Sequence, residues 1–224
     1  MRTLLFAWFS MLIPLLSTGQ ETRSLDAFTS VRVSGNIKVS LTKGNKNSVQ
    51  IQTNEALSPS DVLTRVKGGI LKISLKTKIY KNADARVALT YKELQKLHAG
   101  SSARIRSDEP LKSESLELST ASSGKLRMAL EVKFLNASTG TGGEMQLSGK
   151  AGKLDAVTSS GGSFDAYDLK AMEVYVKANT GGIAEVNAKE YLEAKAATGG
   201  AVYYRGNPKK VMVNKNLGGK IVKR

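Results

Sequence analysis

Apolar and polar residues alternate along the second half of the chain, and small turns interrupt the alternation about every 19 residues. The turns are Ser123-Gly124, Gly142-Gly143, Gly161-Gly162, Gly181-Gly182, Gly199-Gly200 and Gly218-Gly219. Eight positions before the end of each turn stands an apolar residue: Leu116, Leu135, Leu154, Val174, Leu192 and Val211. Two positions after most turns stands another: Leu126, Met145, Phe164, Val202 and Ile221. Because an apolar period of two is typical of half-buried strands, each repeat is predicted to be strand, turn and strand.

One such repeat cannot bury its own apolar face, so its neighbours must cover it. Stacking the repeats as successive coils pairs each strand with its counterparts in the adjacent coils and creates one continuous core. The pattern therefore predicts an all-β, single-domain parallel β-helix, or β-solenoid, with coils of about 19 residues. An antiparallel sandwich would be expected to show irregular turns and strands spaced by about 8–12 residues. The repeated columns argue against that alternative.

The Ser/Thr-Gly-Gly turns are interpreted as structural. Every coil must bend at the same corner, and glycine accepts a positive φ or a close backbone contact without a Cβ penalty. The residues assigned to this role are Gly143, Gly162, Gly182, Gly200 and Gly219. A phosphate-binding loop is disfavoured, because no glycine-rich segment leads into a helical pattern or a Gly-Lys-Ser/Thr sequence.

Residues 1–19 are predicted to be a signal peptide. They contain one arginine, a 13-residue apolar stretch and then small residues, which is short for a membrane span and typical of a secretory signal. An uncleaved anchor is the alternative. Residues 20–224 would form the exported domain, in the periplasm, on the outer membrane surface or outside the cell, with no further membrane span.

The exported domain is predicted to have two parts. Residues 93–224 form the regular coils, and residues 20–92 form less regular coils of the same solenoid. In the less regular part, Gly35 and Gly69 are followed by the same alternation of apolar residues as the later turns. A separate small β-domain over residues 20–92 is the alternative interpretation.

Three segments resemble a known family: Leu25–Phe28, Val31–Val39 and Gly69–Ile73, together with the Thr/Ser-Gly-Gly coils. They look like the putative auto-transporter adhesin, head GIN domain family of exported bacterial proteins, a DUF2807-type domain. The resemblance covers essentially all of residues 20–224. It implies a right-handed β-helix, an envelope or surface location and a role in adhesion, and it supplies no catalytic residues.

The chain is strongly basic, with a formal net charge of +15. A basic exported domain is attracted to anionic surfaces, so an acidic polysaccharide or another anionic envelope component is the predicted partner. The candidate anion-binding residues are Lys150, Lys153, Lys170, Lys177 and Lys195. Dispersed lysines that serve only solubility are the alternative. Nucleic acid is not expected as a partner, because no recognised binding motif is present.

Two further sets of residues suggest carbohydrate chemistry. Tyr175 and Tyr203 are candidates for stacking on sugar rings. Asp165 and Glu185 fall in one outward column on adjacent coils, where two carboxyl groups could approach the separation of about 5–5.5 Å used by retaining glycosidases. With one histidine, His98, and no cysteine, no metal or cofactor site is predicted. The leading hypothesis is a non-enzymatic adhesive or structural module, and the alternative is a glycan-cleaving enzyme on a β-helix.

Overall fold

A computed structural model describes residues 19–78, 80–107 and 109–224. It confirms an all-β, right-handed solenoid of about seven turns. The predicted signal peptide lies outside the described residues, except for Gly19, which begins the first strand. In the described part of the chain, no helix has the length and apolar character needed to cross a membrane.

Seventeen strands form one continuous hydrogen-bonded network within the described ranges. Their bounds are β1 Gly19–Ser24, β2 Ser30–Ser34, β3 Ile37–Lys43, β4 Ser48–Thr53, β5 Val62–Lys67, β6 Ile70–Leu75, β7 Ala85–Tyr91, β8 Lys96–Gly100, β9 Arg104–Arg106, β10 Leu111–Thr120, β11 Lys125–Thr139, β12 Glu144–Thr158, β13 Ser163–Ala178, β14 Ile183–Ala196, β15 Ala201–Arg205, β16 Lys210–Lys215 and β17 Lys220–Lys223. A short 3-10 helix, Pro59–Asp61, precedes β5.

The strand segments build two main faces. Face A contains β5, β6, β2, β8 and β10, then the second halves of β11 to β14, and finally β16. Face B contains β1, β4, β7, β3 and β9, then the first halves of β11 to β14, and finally β15 and β17. A corner turn joins face A to face B in every regular coil, so outward residues of the two faces point in different directions.

The first strands do not stack in the order of the sequence. Strand β2 lies between β6 and β8, and β3 lies between β7 and β9, all in parallel. Outside them, β5 pairs with β6, and β4 pairs with both β7 and β1, all antiparallel. The two-residue loop Gly68-Gly69, with φ values of 58° and 73°, produces the tight β5–β6 hairpin. The expected sequence of parallel coils is therefore modified by antiparallel pairing over residues 20–92.

The inward columns form one core along the solenoid. Leu154 has an exposed fraction of 0% and lies between its register partners Leu135 and Val174. The exceptions are Val211 and Val213, which keep exposed fractions of 42% and 52%. Both belong to β16, the last strand of face A, which pairs only with β14 among the described residues. The expectation that Val211 is buried is wrong, because no further described coil covers the core at that end.

The corner turns use their two glycine positions for different physical reasons. In the turn Gly140–Gly143, Thr141 and Gly142 have φ values of 49° and 67°, and the Gly143 N–H donates to the Gly140 carbonyl at 2.9 Å. These features are typical of a type I′ turn. A Cβ on Gly143 would lie 2.8 Å from the backbone carbonyl of Thr120 in the preceding coil. One position therefore needs a positive φ, and the next needs the space of a missing side chain.

Candidate functional site

A groove of about 920 Å³ crosses face B near its N-terminal end. Strands β4, β7, β3, β9, β11, β12 and β13 supply its lining residues. Its cations are Lys38, Arg86, Arg104, Arg106, Lys125 and Arg127. Its neutral polar side chains are Ser40, Gln50, Gln52, Gln146 and Ser163, and its carboxylates are Glu144 and Asp165. The outward side chains of the groove are therefore mostly polar, with an excess of positive charge.

Four of these cations occupy one column across four adjacent strands. Lys38 is the register partner of both Arg86 and Arg104, and Arg104 is also the partner of Lys125. We call this column ladder B. Neighbouring strands lie about 4.7–4.9 Å apart, and like charges directly opposite each other destabilise a sheet. The fold thus holds four cations together at a cost in stability that a bound anion would offset.

Carboxylates neutralise only part of ladder B. Asp84 forms ion pairs with Lys38 at 2.7 Å and Arg86 at 3.0 Å, and the hydrogen bond from Lys38 is the main cause that lowers the pKa of Asp84. Lys125 pairs with Glu144 at 2.7 Å. Arg104 donates instead to the neutral amide oxygen of Asn36 at 2.9 Å. The guanidinium of Arg104 is thus a cation of the ladder whose hydrogen-bond partner carries no charge.

A second column of the groove adds two more guanidinium groups. Arg106 and Arg127 are register partners beside ladder B, and the column continues through Gln146 to Asp165. Among the described residues, no carboxylate lies within ion-pair distance of Arg127. Along β9 and β11, cationic side chains thus alternate with buried core residues.

The structure places the five lysines singled out in the sequence elsewhere. Lys150 and Lys170 are register partners on the return between the faces, and Lys177 is the partner of Lys195 on face A. Two of the five are paired with carboxylates: Lys153 with Asp155 at 3.2 Å, and Lys195 with Glu193 at 2.6 Å. None of the five lines the groove.

The two candidate stacking tyrosines already contact cations. The ring centroid of Tyr175 lies 5.2 Å from that of Tyr191, and the Lys153 Nζ lies 4.5 Å from the Tyr175 centroid. The guanidinium carbon of Arg224 lies 3.9 Å from the ring centroid of Tyr203. A sugar ring could use the same face of Tyr203 only if Arg224 moved away.

Asp165 and Glu185 are register partners on face B, as their shared outward column suggested. Asp165 accepts hydrogen bonds from the Gln146 side chain at 3.3 Å and from the Tyr167 backbone N–H at 3.2 Å. Glu185 forms an ion pair with Arg224 at 3.3 Å. Asp165 also lines the far end of the groove. No cluster of three or more potential metal ligands occurs within residues 19–78, 80–107 and 109–224.

A model of one protein family matches most of the chain. Its description is "Putative auto-transporter adhesin, head GIN domain", and it covers residues 27–208. The chain belongs to this head GIN family. The match confirms the resemblance drawn from the opening segments and the coils. No curated protein matches the sequence.

Solved structures share the fold of this head GIN domain. A putative adhesin from Bacteroides fragilis has 19% identity and a TM-score of 0.78, over 91% of this chain and 95% of that one. A putative adhesin from Parabacteroides distasonis has 20% identity and a TM-score of 0.72, over 92% and 96%. A structure from the same organism described as a putative lipid binding protein has 21% identity and a TM-score of 0.65, over 92% and 97%. At these identities the likeness shows the fold alone.

The groove was missed in the sequence because its cations come from distant segments. Lys38, Arg86 and Arg104 belong to three different strands that become neighbours only through the non-sequential stacking of β3, β7 and β9. A signal was nevertheless present. Each cation alternates with a buried residue, as in Arg104-Ile105-Arg106 and Lys125-Leu126-Arg127, which marked these side chains as outward and basic.

Proposed function

We propose that this head GIN domain is a non-enzymatic surface-binding module whose groove on face B holds an acidic polysaccharide. The observation that carries the proposal is ladder B, in which four cations occupy register positions on four adjacent strands. The family's adhesin description supports a binding role for a surface partner. Export through the predicted signal peptide, residues 1–19, would bring the domain to such a partner in the cell envelope or outside the cell.

The chemistry of the groove matches a chain of charged sugars. Guanidinium groups bind carboxylates and sulfates through paired hydrogen bonds, and Arg104, Arg106 and Arg127 supply three of them. The side-chain amides of Gln50 and Gln146 can donate to and accept from sugar hydroxyls. Because the cations follow the stacking direction of the strands, an extended polyanion would lie along the solenoid and contact successive strands.

Charge reversal in the groove tests this proposal. Retention of the purified protein on immobilised alginate, a polyuronate, is expected to be strong at low salt and weak at high salt, because salt screens exposed charges. The double variant Arg104→Glu/Arg127→Glu is expected to bind at least about tenfold more weakly, since a charge-assisted hydrogen bond is worth about 1.5–3 kcal/mol.

The control for this experiment is Lys177→Glu/Lys195→Glu on face A, which changes the net charge by the same amount. It is expected to retain most of the binding. Equal losses in the two double variants would mean that net charge, and not the groove, attracts the polysaccharide. A selective loss in the face A variant would instead assign the binding to the lysines that were singled out in the sequence. Phosphatidylglycerol vesicles serve as a comparison ligand, because one structural neighbour is described as a putative lipid binding protein.

The register pairing of Asp165 with Glu185 favours glycan cleavage as a second candidate function. In a retaining mechanism one carboxyl would act as nucleophile and the other as acid and base. If this function is present, the protein will shorten a bound polysaccharide, and both Asp165→Asn and Glu185→Gln will abolish shortening while the circular dichroism stays unchanged and the polysaccharide is still bound. A wild-type protein that binds the polysaccharide and leaves its length unchanged would reject cleavage of that substrate.

A further inference from the structure

A second column of cations lies on face A, away from the groove. Arg65 is the register partner of Lys72, and Lys72 is the partner of Arg32. Arg32 is in turn the partner of His98 on β8. All three cations are exposed and His98 is half-buried. We call this column ladder A.

The cations of ladder A face one another without a carboxylate partner from the residues that the structure describes. Among the described residues, no carboxylate lies within ion-pair distance of Arg65, Lys72 or Arg32. Some other lysines of face A do form ion pairs, such as Lys96 with Glu117 at 2.7 Å and Lys195 with Glu193 at 2.6 Å. Like charges in register on strands about 4.7–4.9 Å apart repel one another, and no carboxylate of the described residues pairs with these cations to offset that repulsion.

Small residues flank three members of ladder A on one side. Two positions beyond Arg32, Lys72 and His98 along their strands stand Ser34, Ser74 and Gly100. Side chains two positions apart in a strand share a face, so these small residues lie beside the cations. Ser34 and Ser74 leave space over the sheet beside Arg32 and Lys72, whereas the His98 ring covers Gly100.

His98 lies at the inner end of ladder A. Its Nδ1 is 2.8 Å from the Ser119 hydroxyl oxygen, and a Cβ on Gly100 would lie 2.9 Å from its Nε2. Burial, and then the charge of Arg32 on β2, lower the pKa of His98 below its ordinary value. On β8 and its two neighbours β2 and β10, the charged groups of the adjoining column are Lys96 and Glu117, which pair with each other. Protonation of His98 at acid pH would therefore add a fourth cation to the ladder.

We propose that ladder A is a second anion-binding site, separate from the groove, for a phosphate or sulfate ester group. A tetrahedral oxyanion presents several charged oxygens and can accept hydrogen bonds from cations on adjacent strands at once. The turn Gly35-Asn36 separates the two ladders. The ladder A residue Arg32 lies before this turn on β2, and the ladder B residue Lys38 lies after it on β3. The domain would thus hold two anionic groups on two faces, which goes beyond the single groove of the proposed function.

His98 provides a direct probe of this site, because it is the chain's only histidine. Inorganic sulfate is titrated into the full protein at constant ionic strength, with chloride as the replaced anion, and the imidazole resonances are followed by NMR from pH 5 to 8. We expect a saturable shift of the His98 signals and a rise in the His98 pKa of about one unit, because a nearby anion favours the imidazolium form. Affinity for sulfate should correspondingly increase as the pH falls through the His98 pKa.

The variant Arg32→Gln is expected to weaken sulfate binding about tenfold or more. It should also raise the pKa of His98 in the absence of sulfate, because it removes the neighbouring positive charge, and this second readout shows that the ladder is still assembled. The matched control is Lys177→Gln, in the same outward column of face A but four strands from His98. It should leave the sulfate response unchanged.

Two results would overturn the proposal. One is an equal response of His98 to sulfate and to chloride at the same ionic strength. The other is wild-type sulfate affinity in Arg32→Gln.

The groove variant Arg104→Glu/Arg127→Glu should keep the sulfate response at His98 even if it loses alginate binding, so failure of one site is distinguishable from failure of the other. Sulfated dextran and phosphatidic acid vesicles, tested for binding that depends on Arg32, then identify a glycan or a lipid as the source of the group.

Discussion

Leu154→Asp is expected to unfold the protein. Leu154 is completely buried and lies in the central column of the core between Leu135 and Val174. Removing a buried leucine from the core costs about 1.5–3 kcal/mol, and placing a carboxylate there without a partner costs several kcal/mol more. The sum is comparable with the entire free energy of unfolding of an ordinary domain, about 5–15 kcal/mol. The loss of β structure should be visible by circular dichroism at room temperature, or as a large fall in the urea midpoint.

The matched control for this change is Val157→Asp on the same strand. Val157 points outward with an exposed fraction of 43%, and its register partner is Lys177, which can pair with a new carboxylate. The free energy of unfolding of the Val157→Asp variant should differ from that of the wild type by less than about 1 kcal/mol, as is usual for surface substitutions. Similar destabilisation by the two variants would contradict the inward and outward assignment of β12.

Gly200→Ala is expected to destabilise the protein strongly at one corner. A Cβ at this position would lie 2.2 Å from the Ala178 carbonyl oxygen and 2.4 Å from the carbonyl carbon. Both atoms belong to the backbone of the preceding coil, so relief of the clash requires the coils to separate. Overpacking against side chains usually costs about 1–3 kcal/mol, and a contact with backbone should cost at least the upper part of that range. Urea denaturation of the purified variant measures the loss.

Gly199→Asn is the control within the same turn. Gly199 has a φ of 73°, and a Cβ there would meet nothing within 4 Å. Asparagine accepts the left-handed conformation more readily than most residues, so the loss in stability should be about 1 kcal/mol or less. If Gly199→Asn destabilises the protein as much as Gly200→Ala, backbone conformation rather than coil spacing dominates the corner.

The regular coils could be predicted in detail because their information is local. Alternation around Leu135, Leu154 and Val174 marks which side chains face inward, and the recurring glycines mark where every coil bends. The structure also separates two effects that the sequence had combined: the positive φ of residues such as Gly142 and the close contact at residues such as Gly143. Val211 shows the limit of the pattern, because burial also requires a neighbouring coil to cover the residue.

The candidate sites depended on pairing between segments that are far apart in the chain. Alternation alone marks Lys38, Arg86 and Arg104 as outward, and likewise Arg65, Lys72 and Arg32. Alternation cannot show which of these cations lie on adjacent strands, because the stacking order of β2, β3, β6 and β7 follows from hairpin formation and long-range strand pairing. The amino-acid sequence thus specified the coil, its inward face and its corners through local periodicity and turn chemistry. Tertiary structure alone brought the cations into two ladders, since their repulsion and any shared ligand arise only when distant strands become adjacent.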